Sequence, residues 1–155
     1  MGVTSDQLLE LVLQGRILIE KVFGVQVTAE IRVGTSTDLV PPIRKSFAER
    51  APHLVSKLES LISDLDGIYL KDTHEIWIVQ GRGENFQTVL HEMLHSIQNC
   101  TPNRENIVDF LVYTLTGLED SILPEILTEW KEIEKSVGLK NIQKRLLSEG
   151  DCEEF

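Results

Sequence analysis

Apolar residues recur at helical spacing near the start of the chain. Leu8, Leu9, Val12, Leu13, Ile17 and Leu18 follow a capping Thr4 or Ser5, and Gly24 closes the run. This predicts a first helix ending at about Phe23. The period then changes to two: Val25, Val27, Ala29, Ile31 and Val33 alternate with Gln26, Thr28, Glu30 and Arg32, the pattern of a half-buried strand. Gly34-Thr35-Ser36-Thr37-Asp38, followed by Pro41-Pro42, reads as a loop. A helical region then covers about 43–65, broken by Pro52 with Ala51 as its boundary. Ile68-Tyr69-Leu70 and Glu75-Ile76-Trp77-Ile78-Val79 flank the polar stretch Lys71 to His74. They predict a hairpin that Gly81 and Gly83 end. Further helices are expected over about 85–98, 103–116, 124–137 and 139–147, before an acidic, frayed end at 148–155. The expected class is α+β, a small, mostly antiparallel sheet packed with helices.

Composition narrows this picture. A chain of 155 residues supports one core, so a single domain is expected over 1–150, with 151–155 as an acidic tail. With 41% hydrophobic and 26% charged residues, the chain is neither disordered nor fibrous. No apolar run approaches the roughly 20 residues of a membrane span. The first residues lack a basic start and a cleavage site, so the expected compartment is cytoplasmic, with no membrane partner. Cys100 and Cys152 build neither a disulfide framework nor a cysteine metal site. The net charge of −10 repels a phosphate backbone, which argues against nucleic acid as a partner.

One motif carries chemistry. His91-Glu92-Met93-Leu94-His95 is HExxH on a predicted helix. Positions i and i+4 share a face, so both imidazoles can reach one metal ion. Glu92 is turned about a hundred degrees from His91. There it can act on a water held at the metal, taking its proton and returning it to the leaving amine. The surrounding helix carries Phe86, Val89, Leu90, Met93, Leu94 and Ile97, and Glu92 is the one Asp, Glu, Lys or Arg between Asn85 and Gln98. Two histidines and a glutamate on so apolar a helix need a reason to be buried.

Thr88-Val89-Leu90-His91-Glu92-Met93-Leu94-His95-Ser96-Ile97 resembles the extended signature of the zincin metallopeptidases. The threonine before the first histidine, the uncharged residues inside the motif and the hydrophobic residue after the second histidine all agree. Glu105-Asn106-Ile107-Val108-Asp109-Phe110-Leu111 is similar to the helix that follows HExxH closely in short phage and prokaryotic zincins. The resemblance is local. It implies a minimal zincin-like core, a zinc ion, a peptide or protein substrate, and Glu105 as third ligand beside His91 and His95.

The residues themselves leave alternatives for that ligand. A catalytic zinc takes three protein ligands and keeps the fourth position open. No histidine follows His95, and the spacing of a well-known zincin subgroup would place its downstream glutamate at Thr114. An acidic ligand is therefore expected, from Glu105, Asp109, Glu119 and Asp120, with Asp109 also placed to orient a ligating histidine. Glu105 can equally be a first-turn acid that complements its helix dipole. Elsewhere, Glu75 to Val79 is either an edge strand for an extended peptide or an interior strand. Tyr69, Tyr113 and His74 are candidate oxyanion donors or ordinary polar packing. Trp77 and Trp130 read as core or interface, and Cys100 as a small apolar residue. The leading expectation is a zinc-dependent peptidase with Glu92 as general base. The alternatives are a non-catalytic zinc-binding regulatory or partner-binding protein, and an all-structural module with a chance motif.

Overall fold

The structure, a computed structural model, describes residues 5–98, 100–101, 108, 111–112, 115–116, 128, 131–132, 134–136, 138–147 and 150–151. The fold is α+β. Helix α1 (Ser5–Phe23) ends where expected. Gly24 takes φ 72°, a left-handed conformation that suits glycine, and its N–H donates to Glu20 O at 2.9 Å.

Three strands form one sheet, in the order β1 (Glu30–Gly34), β3 (Glu75–Val79), β2 (Gly67–Leu70). The hairpin is present: β2 runs antiparallel to β3, with Ile68 opposite Trp77. Strand β1 pairs with β3 in parallel, Ile31 opposite Ile76, so the sheet is mixed rather than mostly antiparallel. Strand β1 is also shorter than its alternating pattern. Residues 25–29 lie outside it, although Val27 and Ala29 are buried. The expected apolar face is buried only in part, since Val33 is exposed; a strand also needs a neighbour, and β3 reaches back only to Glu30.

Helix α2 (Ser36–Arg50) corrects the reading of 34–42 as a loop. Thr35 and Asp38 form a capping box: the Thr35 hydroxyl accepts from Asp38 N–H, and the Asp38 carboxylate accepts from Thr35 N–H at 2.9 Å. Pro41 and Pro42 therefore lie inside a helix and remove two ladder donors. Burial of Leu39 and Ile43 on either side offsets that loss. The chain breaks at Ala51, as Pro52 predicts. A 3₁₀ turn (Pro52–Lys57) and α3 (Leu58–Ser63) lead into β2.

The sheet separates two apolar clusters. Ile76 and Ile78 face one that contains Leu8, Val12 and Ile19 of α1 and Val89, Leu90, Met93 and Leu94 of α4 (Phe86–Ile97). Trp77 and Val79 face another, built on Leu39, Ile43, Leu58 and Ile62. A strand covered on both faces explains the unbroken apolar run of β3. Val108, Leu111 and Val112, together with Ile142 and Leu146 of α5 (Leu139–Leu147), complete the first cluster. Beyond α5, Gly150–Asp151 (β5) pairs in parallel with Cys100–Thr101 (β4), where fraying was expected.

Candidate metal centre

Helix α4 begins at Asn85, whose side-chain oxygen accepts from Thr88 N–H at 2.9 Å, and ends at Gln98. Those ends follow from a largely apolar stretch, with Glu92 its one acidic residue, bracketed by a capping asparagine and a glutamine. With Val89, Leu90, Met93 and Leu94 fixed in the core, His91, Glu92 and His95 occupy the remaining side of the helix.

The two imidazoles converge. His91 Nε2 and His95 Nε2 stand 3.2 Å apart, with the rings at 67°. Two nitrogens bound at about 2.0–2.1 Å to one tetrahedral ion would stand about 3.3–3.4 Å apart, so the pair already has the required spacing. Ligand atoms of His91, Glu92 and His95 all lie within 4.8 Å of one another. Glu92 is 7% exposed and His95 8%, so the group is recessed, with His91 the more accessible member. Two imidazoles and a carboxylate this close together form a group that could hold a metal ion.

Gln98 is a residue that sequence reasoning missed. It is buried (8% exposed), and its Oε1 lies 3.0 Å from His95 Nδ1. An amide oxygen only accepts, so Nδ1 carries the proton, and the neutral ring keeps its Nε2 lone pair for a metal. The signal was present: Gln98 follows His95 by one helical turn, on the same face.

The other expected site residues divide clearly. The phenol of Tyr69 and Nδ1 of His74 are 2.7 Å apart, and His74 Nε2 is 2.7 Å from Thr28 Oγ1. Both nitrogens of His74 are thus engaged, and the pair is polar packing rather than an oxyanion site. Burial pushes the Tyr69 phenol above its ordinary 10.0, against a smaller opposing pull from Arg50. Strand β3 is flanked by β1 and β2, so the alternative of Glu75 to Val79 as an open edge is removed. Its backbone groups are already bonded on both sides. Trp77 packs on the second cluster, as read. Glu105, Asp109, Tyr113, Glu119, Asp120, Trp130 and Cys152 lie outside the described residues.

No helix among the described residues is long and apolar enough to cross a membrane. No protein family, no curated protein and no solved structure matches the chain.

Proposed function

We propose that the protein is a zinc-dependent peptidase, with zinc held by His91, His95 and Glu105 and with Glu92 as general base. The observation that carries this reading is the 3.2 Å convergence of the two Nε2 atoms beside a buried glutamate. Glu105 enters through the zincin resemblance. Val108, three residues further along in sequence, packs into the same cluster as α4, which favours that segment as the source of the third ligand.

Zinc in this position would supply Lewis acidity to a carbonyl and make water easier to deprotonate. The remaining work falls to the chain. Glu92 takes a proton from water as the oxygen adds to the carbonyl carbon, then delivers it to the amine nitrogen as the C–N bond breaks. His95 is held in the ligating tautomer by Gln98. The substrate is an extended peptide laid along β2. Val79 N–H donates to Asp66 O at 2.8 Å, and bonding alternates along an antiparallel pair. Gly67 and Tyr69 therefore turn their backbone groups to the outer side. That edge carries no charged side chain, whereas β1 carries Glu30 and Arg32, which discourage strand addition.

The test is Glu92→Gln. Zinc-loaded wild-type protein should cleave members of a peptide library, and the variant should retain zinc while losing about 10²- to 10⁴-fold in rate. Undiminished cleavage by the variant would assign the base elsewhere. Zinc binding by the wild type without any cleavage would favour the non-catalytic role.

A further inference from the structure

We propose that Gly67 is a positioning residue for Glu92: the absence of a side chain there lets the glutamate sit where it faces the metal centre. The inference rests on the peptidase reading and concerns a residue outside the HExxH motif. Gly67 opens β2, and its α-carbon faces α4. A Cβ at this position would lie 3.2 Å from Glu92 Cγ, 3.2 Å from Thr88 Cγ2 and 3.2 Å from Trp77 O. Carbon atoms in comfortable contact stay about 3.5–4.0 Å apart. Two of these short contacts are with α4 and one with β3, so position 67 lies close against both the helix and the central strand.

The three neighbours differ in how far they can yield. Trp77 O belongs to the central strand, opposite Ile68 in the antiparallel register, and is fixed by the sheet. Any added atom at position 67 must therefore displace the α4 side chains. Glu92 is 7% exposed, and its neighbour Met93 is fully buried, so the helix has little room to retreat. The displacement falls on the glutamate side chain. In the native chain, the missing side chain leaves Glu92 its place against β2, with its carboxylate within 4.8 Å of the imidazole nitrogens.

The experiment compares wild type, Gly67→Ala, Glu92→Gln and the double variant Gly67→Ala/Glu92→Gln, each loaded with zinc. If Gly67 acts through Glu92, its substitution costs nothing further once the carboxylate is gone. The first readout is acetohydroxamate binding by calorimetry, because chelation releases a proton that a well-placed carboxylate accepts. The second is peptide cleavage. Glu92→Gln should weaken the hydroxamate by about 10-fold or more, and Gly67→Ala by about 3- to 10-fold, with zinc stoichiometry unchanged. The double variant should bind the hydroxamate no more weakly than Glu92→Gln alone. For cleavage, Gly67→Ala should lower kcat by about 10-fold with KM within about twofold, since small misplacements of a catalytic group are costly. Should Gly67→Ala fail to fold, Gly67→Ala/Thr88→Ser, which removes the crowding Thr88 Cγ2 methyl, takes its place in the comparison. Wild-type binding with no loss in Gly67→Ala, or a loss in the double variant beyond that of Glu92→Gln, overturns the proposal. A wild-type protein that takes up neither zinc nor hydroxamate overturns the peptidase reading instead.

Discussion

Two of the histidine settings in this protein use the same side chain for opposite ends. At the hairpin turn, His74 adopts φ 54° and has a hydroxyl against each ring nitrogen, Tyr69 on one side and Thr28 on the other. Neither nitrogen has a lone pair to spare for a metal without breaking a hydrogen bond. On α4, His95 has one nitrogen tied to Gln98, while the other meets its counterpart on His91. Burial alone does not separate the two settings. What separates them is what each nitrogen meets. An amide oxygen at Nδ1 and a second imidazole at Nε2 orient His95 for a metal; a hydroxyl at each nitrogen makes His74 a strut between β2, the turn and the segment before β1.

That contrast can be broken at the metal side first. Glu105→Gln should weaken zinc binding beyond the about 10- to 100-fold typical of losing an outer partner, because it removes an anionic donor. Asp109→Asn should cost less. A reversed order, measured by competition against a chelator, would move the third ligand to Asp109. Gln98→Leu sharpens the comparison itself. It frees His95 Nδ1 and should weaken zinc by about 10-fold while leaving the helix formed. Unchanged affinity would mean that Gln98 is only a helix end.

The smallest effect is expected at the strut. Tyr69→Phe should leave zinc binding unchanged and cost about 1 kcal/mol in denaturant unfolding at neutral pH, the worth of one hydrogen bond. Because burial raises the Tyr69 value in the folded state above 10.0, its contribution is whole below that pH. It is lost as pH climbs through the raised value, where the unfolded chain ionises first. The variant should therefore show a flatter decline in stability above pH 10.0 than the wild type. An equally steep decline would assign the alkaline loss to other groups.

The parts legible in the sequence are those written in local spacing. The ends of α1 and α4, the hairpin around Lys71 to His74 and the break at Pro52 each depend on residues within a few positions of one another. The pairing of His91 with His95 belongs here too, since one helical turn brings them together. The parallel pairing of β1 with β3 was not legible, because nothing local states that Ile31 will meet Ile76, 45 positions further on. The interior place of β3 depends on that same long-range pairing. Helix α2 is a different case. The Thr35 and Asp38 box was in the sequence, but two prolines outweighed it, although buried Leu39 and Ile43 hold the helix in place. Gln98 was passed over because a neutral amide carries no metal signature of its own; its role shows only once His95 Nδ1 is seen against it.

The most direct measurement is zinc per chain in protein prepared without a histidine tag, loaded with excess zinc and dialysed against metal-free buffer. It should be made on wild type and on His91→Ala/His95→Ala. If the converging imidazoles are a metal centre, the wild type holds one zinc per chain and the double variant holds none. Equal zinc in the two proteins, or none in the wild type, would contradict it.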